Sequence, residues 1–160
     1  MAKVISLCGL ICTGKTTYAQ KLRKEIKAAL LSVDEITLTL FHDDVGEMHD
    51  TYVERAEKYI YAKAVELAEV GINSVLDIGL WTRVERDEIR AYFEEKGIDF
   101  EIHYLTVPSE EWHRRIEKRN ADITAGKCRA YYVDSGLAEK CLGLFEPPQA
   151  DEDIYNVCDN

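Results

Sequence analysis

A chain of 160 residues is long enough to bury one sizeable core and leaves little room for a second domain; with 46% hydrophobic and 31% charged residues it has a globular rather than a disordered composition. Thirty acidic residues against twenty basic ones give a formal net charge of −10, which speaks against a surface that tracks a nucleic-acid backbone or an anionic membrane. No segment approaches the ~18 consecutive apolar residues of a membrane span. The five cysteines, Cys8, Cys12, Cys128, Cys141 and Cys158, show neither CxxC spacing nor an accompanying histidine pattern, so reduced thiols and a cytoplasmic setting are expected rather than a zinc site.

The opening MAKVISLCGL carries one lysine and a short apolar stretch that runs straight into a glycine motif, so it reads as a first strand, Val4 to Cys8, and not as a signal peptide. Beyond the glycine loop, Ala19, Leu22, Ile26 and Ala29 recur at helical spacing, and a second apolar run, Ala28 to Val33, ends at Asp34. From about Glu47 to Val70 the stripe Val53, Ala56, Ile60, Ala64 and Leu67 predicts a long helix closed by Gly71. Val75, Leu76 and Ile78 bracket Asp77 in a third strand, Val84 to Lys96 reads as a helix closing on Gly97, and Phe100, Ile102, Leu105 and Val107 make a fourth strand. Pro108 and Ser109 before Glu110 and Glu111 signal a helix start capped by the serine hydroxyl. The pattern weakens from Ala121 to Arg129, a polar stretch with Gly126 that reads as a mobile loop. A short helix over Leu137 to Phe145 and a fifth strand over Ile154 to Cys158 complete the chain. Alternation of strands and helices throughout predicts an α/β domain around a largely parallel, buried sheet.

The string GLICTGKT, Gly9 to Thr16, fits G-x-x-x-x-G-K-[ST] and sits directly after a strand and before a helix. Gly9 and Gly14 let the backbone wrap closely around phosphate oxygens while loop amides and the helix N-terminus point at the anion. The expected nucleotide-binding set is Gly9, Cys12, Thr13, Gly14, Lys15, Thr16 and Thr17, with Lys15 on the β- and γ-phosphates of ATP and the Thr16 hydroxyl on Mg²⁺. Cys8 and Cys12 flank and enter the loop, where redox control is the alternative to plain packing.

Ligands of open α/β sheets gather at the carboxyl ends of the strands, which puts Asp34 and Asp77 on the rim of that loop. A carboxylate there accepts the proton of an acceptor hydroxyl or holds Mg²⁺; the alternative is that either one caps the next helix. Arg83 and Arg86, just beyond Asp77, are candidates for an anionic substrate, with salt bridging inside their Glu-rich helix as the alternative. Trp81 is a candidate wall of an acceptor pocket. His42, His49, His103 and His113 have no ligand spacing and read as structural or exposed.

Taken in order, GLICTGKT, LSVDEI at 31–36, VLDIG at 75–79, RRIEKRN at 114–120 and FEPP at 145–148 resemble the small P-loop kinases related to chloramphenicol phosphotransferase, zeta toxins and the kinase domain of polynucleotide kinases. The resemblance implies a three-layer P-loop NTPase fold over 1–160, a five-stranded parallel sheet of nucleotide-kinase type and a lid at about 114–130. It further implies transfer of the γ-phosphoryl group of ATP to a hydroxyl. Asp34 matches the position of the base, Asp77 the acidic residue of a Walker B-like strand that holds metal together with Thr16, and Arg115 and Arg119 the lid arginines. Polynucleotide kinases of this family carry an arginine where this chain has Thr37, so a small-molecule acceptor is expected over a polynucleotide or nucleoside 5′-hydroxyl. A regulatory ATPase is the third reading. Many relatives also have a last helix after the fifth strand, which leaves a monomer and a homodimer both open.

Overall fold

The computed structural model describes residues 1–41 and 45–157; His42 and Cys158 lie outside the described residues. In chain order the elements are β1 (Lys3–Cys8), α1 (Lys15–Glu25), β2 (Ala28–Ser32), α2 (Val33–Leu40), a 3₁₀ turn (Gly46–Met48), α3 (His49–Glu69), β3 (Asn73–Asp77), α4 (Arg83–Glu94), β4 (Asp99–Tyr104), α5 (Ser109–Thr124), α6 (Ser135–Leu144) and β5 (Tyr155–Asn156). All strand pairs are parallel and the order is β2-β3-β1-β4-β5, the topology of P-loop NTPases of the kinase type. Among the described residues no helix is long and apolar enough to cross a membrane.

The register explains why the chemistry collects at one edge. β1 is central, Cys8 pairs with Tyr104, and Ser32 pairs with Asp77, so the strands feeding the glycine loop, Asp34 and Asp77 all end on the same rim. Both faces are covered, as near-continuous apolar strands require. Val4, Cys8, Leu76 and Ile102 pack with Ala56, Ile60 and Ala64 of α3 and Ile89 and Phe93 of α4, while Ile5, Leu7 and Val75 pack with Ala19 and Leu22 of α1. Burying a side chain such as Ile60 is worth roughly 1.5–3 kcal/mol, so these two layers fix the rim as well as the core.

Local signals set the helix ends. α4 begins with a full capping box between Thr82 and Glu85, and α6 with Asp134, whose side chain accepts from the Leu137 amide at 2.7 Å. α3 closes on Gly71 at φ 80, with the Gly71 and Ile72 amides returning to Ala68 and Leu67. Four expectations need correction. Ala29 belongs to β2 and not to the first helix, which stops at Glu25. Ser109 does not cap α5, because Pro108 holds the N-cap position and no side-chain bond forms there. α5 also runs on to Thr124, through much of the stretch expected as a mobile loop, and ends at Ala125 before Gly126 at φ 70. β5 is only two residues long, Tyr155–Asn156.

Glu57, half-buried on α3 beside Glu54 and Glu85, has its carboxyl pushed up to about 7, by burial first and by the two neighbouring carboxylates second. The folded chain therefore holds this proton more tightly than the unfolded chain does. That advantage is complete below about pH 4.3 and is lost as pH rises through about 7. Glu57→Gln is expected to leave stability nearly unchanged at pH 4.5 and to raise it by about 2–3 kcal/mol at pH 8. Urea denaturation at the two pH values checks this, and an equal effect at both would refute the charge argument.

Candidate active site

The glycine loop is shaped by close backbone approach. Gly9 has φ 149, and a Cβ there would sit 2.4 Å from the Leu105 carbonyl oxygen, so only glycine fits. Its amide donates to the Gly79 carbonyl at 3.3 Å, tying the loop to the segment that follows β3. Gly14 is left-handed at φ 93 and occupies the N-cap of α1 without any side-chain cap, which leaves the helix N-terminal amides directed into the loop. Cys12 is also left-handed, at φ 59, a backbone state that favours glycine. Buried Thr13 donates from its hydroxyl to the Leu10 carbonyl at 2.8 Å, and Thr17 is exposed in the first turn of α1. The Lys15 ammonium donates to the Gly9 and Leu10 carbonyls at 2.8 and 2.6 Å, folded back across the loop. Burial lowers its pKa, and the charges of Asp77 and Asp34 oppose that shift.

Asp77 ends β3 and accepts the Thr16 hydroxyl at 2.8 Å. Burial raises its pKa, the Thr16 bond and Lys15 counter this, and Asp34 adds to it. Asp34 is exposed, in the first turn of α2, one element later than the strand end expected for it. Neither aspartate is a cap: α2 is capped by Ser32, whose side chain accepts from the Glu35 amide at 3.3 Å, and α4 by Thr82.

Arg115 and Arg119 lie one turn apart on α5 and both face the loop. Arg115 donates through Nε to Glu111 at 2.6 Å, and its Nη1 lies 3.2 Å from where a Cβ on Gly14 would be. Arg119 contacts the Cys12 sulfur through Nη1 at 3.6 Å, while its buried Nε has no hydrogen-bond partner among the described residues. Arg114 donates to the other oxygen of Glu111.

Residues 4–131 match a family described as an AAA domain. The chain belongs to that family. No curated protein matches it in sequence. Among solved structures, the AAA-domain chain is similar to the APS kinase CysC of Mycobacterium tuberculosis in complex with AMPPNP and APS, at 20% identity and TM-score 0.68 over 98% of this chain and 87% of that one. A sugar kinase from Janibacter sp. HTCC2649 gives 16% and 0.66 over 98% and 85%. A chain of the Pnkp1/Rnl/Hen1 RNA repair complex gives 23% and 0.69 over 89% of this chain but 43% of that one. At such identities the likeness is one of fold, that of small P-loop kinases.

In this AAA domain Arg83 and Arg86, the candidates for an anionic substrate, are both ion-paired. Arg86 is buried and ion-paired with Glu152 at 2.6 Å, a partner outside its own helix, and Arg83 binds Asp151 at 2.9 Å and Asp87 at 3.3 Å. Trp81 lies against Gly79, where a Cβ would come 1.9 Å from the indole nitrogen. His103 is buried between Tyr18 and Glu101, which makes it structural. Burial pushes the Cys8 thiol up to about 11 and so keeps it protonated, contrary to a redox role for it. A lid at about 114–130 was expected, but the sequence did not signal which contacts tie down the segment after α5. Asn120 brackets Val133 with bonds of 2.6 and 2.9 Å, and the Tyr131 hydroxyl meets buried Thr37 at 3.0 Å while its ring stands edge-on to His49. Such pairs lie up to 94 residues apart and have no local pattern. The Thr16 hydroxyl and Asp77 carboxylate are hard oxygen donors in contact with each other, the chemistry that suits Mg²⁺. Among the described residues no group of three or more His, Cys, Asp or Glu is placed to hold a metal, so an ion here would take its other ligands from water and substrate phosphates.

Proposed function

We propose that the chain is a phosphotransferase that moves the γ-phosphoryl group of ATP to a hydroxyl of a small molecule. The observation that carries this reading is the convergence of Lys15, the Thr16–Asp77 pair and Asp34 on one rim, faced by Arg115 and Arg119. Loop amides and Lys15 bind the phosphates, replacing the carbonyls that Lys15 now contacts. Thr16 and Asp77 would hold Mg²⁺, which would supply neutralisation of phosphate charge when bound. Asp34 accepts the proton of the acceptor hydroxyl, and Arg115 and Arg119 offset negative charge on the phosphoryl oxygens as transfer proceeds. Segment 125–133, latched at Tyr131, excludes water from the acceptor side and so limits wasteful hydrolysis.

Charge favours a small acceptor over a polynucleotide. From α2 to Arg55 of α3 the described residues include Asp34, Glu35, Glu47, Asp50 and Glu54 against Arg55, and a polyanion is repelled by such a surface. The test is incubation with ATP and Mg²⁺ in a mixture of metabolites and antibiotics, with Lys15→Ala as the blank and hydroxyl-ended oligonucleotides in parallel. New phosphorylated small molecules made only by the parent are expected. Label on oligonucleotide 5′ ends, or phosphate release at a rate indifferent to any acceptor, would replace this reading by a polynucleotide kinase or a regulatory ATPase.

A further inference from the structure

Arg83, Arg86 and Arg90 follow one another on α4 at spacings of three and four, and so share one helix face. All three hold the segment 146–153 that returns the chain from α6 to β5. Arg83 binds the Asp151 carboxylate through both oxygens at 2.9 Å, Arg86 binds Glu152 with Nε and Nη2 at 2.6 and 3.0 Å, and Arg90 donates to the Asp153 carbonyl at 2.7 Å. Arg86 differs from its neighbours. Its side chain is 1% exposed and that of Glu152 3%, against 39% for Arg83. Its third nitrogen, Nη1, donates to the Glu146 carbonyl at 2.9 Å and reaches the Leu80 carbonyl at 3.4 Å.

Leu80 is the corner residue between β3 and α4 and has φ 46, a strained state for a leucine. Its carbonyl also receives the Cys8 thiol at 3.3 Å, from the last residue of β1. One residue earlier, the Gly79 carbonyl accepts the Gly9 amide at 3.3 Å, and two residues before that stands Asp77 with Thr16 on its carboxylate. The corner therefore joins the base of the phosphate loop to the residue proposed to hold metal, and Arg86 is the buried cation behind it. A buried ion pair is a poor source of net stability compared with apolar side chains of the same volume. Its geometric specificity is what an apolar pair cannot reproduce.

We infer that Arg86, locked by Glu152, is a positioning residue: it holds the Gly79–Leu80 corner against Cys8 and Gly9, and through the corner sets the Thr16–Asp77 pair. Its effect on nucleotide binding rests on the phosphotransferase reading; its effect on the corner does not.

The test uses the full chain with three changes: Arg86→Met combined with Glu152→Leu, which removes both charges; Arg86→Lys, which keeps the charge without the fork; and Arg90→Ala, which loosens the returning segment without touching Leu80. Two quantities are read in each, after thermal melting has confirmed folding. One is the alkylation rate of Cys8, resolved from the other thiols by peptide mass spectrometry. The other is the affinity for a fluorescent ATP analogue with Mg²⁺ and with EDTA. In both Arg86 variants we expect Cys8 to react at least tenfold faster, and Mg²⁺-dependent affinity to fall at least tenfold while affinity in EDTA stays within twofold. Arg90→Ala should change neither.

Unchanged Cys8 reactivity in a folded Arg86 variant, or equal effects from Arg90→Ala, would overturn the assignment. Faster Cys8 alkylation with intact Mg²⁺-dependent affinity would equally overturn it, since the corner would then move without moving the site. If the double variant fails to fold, Arg86→Lys decides by the same criteria. A parent that binds no nucleotide would sink the phosphotransferase reading, and the Cys8 rates would still decide whether Arg86 supports the corner.

Discussion

Lys15→Ala is expected to lower affinity for ATP at least ~100-fold and phosphoryl transfer at least ~1,000-fold, with a melting temperature within a few degrees of the parent. The ammonium is half-buried and rests on the Gly9 and Leu10 carbonyls, and burial already lowers its pKa. Exchanging those carbonyls for phosphate oxygens replaces dipoles by full negative charges, and truncating one member of a desolvated charge pair costs about 2–5 kcal/mol. Losing a donor aimed at developing charge removes a further ~100-fold or more from the rate. Stability responds little because two effects oppose: two carbonyls lose a donor, at about 1 kcal/mol each, while an ammonium whose pKa is lowered by burial no longer has to be desolvated. Titration with an ATP analogue alongside thermal melting separates the two. A folded Lys15→Ala protein that bound ATP as tightly as the parent would remove the basis for placing phosphate on this loop.

How far the sequence could be read follows from which interactions are local. Strand β1, the glycine loop and α1 form a continuous string whose hydrophobic period, glycine positions and lysine all act within twenty-five residues. The capping box of α4 and the Gly71 end of α3 are local in the same way. Asp77 was legible because it interrupts an apolar run at its end. Asp34 was misplaced by one element, since Val33 continues the apolar run of β2 although Ser32 already caps a helix there.

Long-range pairing escaped. Arg86 sits in a helix full of acidic neighbours, and an internal salt bridge was the natural alternative to a substrate role. Its partner is Glu152, 66 residues away, and nothing in the local pattern distinguishes that carboxylate from Glu85 or Glu88. The Tyr131–Thr37 contact escaped for the same reason. The stretch from Ala121 lacks apolar period because α5 buries only its Trp112 and Ile116 side, and its last turn, Ala121 to Thr124, buries no side chain. The family resemblance compensated at the arginines, where composition alone could not say that Arg115 and Arg119, rather than Arg114, face the loop.

Asp34→Asn is expected to reduce transfer to the acceptor ~100- to ~10,000-fold, the range for removing a positioned general base, while ATP affinity changes less than about threefold. The substitution keeps the side-chain shape and removes only charge and basicity. Its structural cost is bounded: α2 keeps its Ser32 cap and Glu35, and Thr37 donates to the Asp34 backbone carbonyl at 3.3 Å, not to its carboxylate. Losing one anion from the first turn of a helix costs about 0.3–1 kcal/mol, a shift of roughly 1–4 °C for a chain of this size. Nucleotide binding should be spared, because Asp34 is exposed and water screens its repulsion of bound phosphate. The diagnostic is therefore a split: kcat for transfer collapses, the KM for ATP holds, and slow acceptor-independent hydrolysis persists. Glu35→Gln, one residue on and exposed, serves as the control for charge alone and should transfer like the parent. Loss of ATP affinity in Asp34→Asn would move this carboxylate from the acceptor to the nucleotide, and full transfer activity with the true acceptor would exclude it as the base.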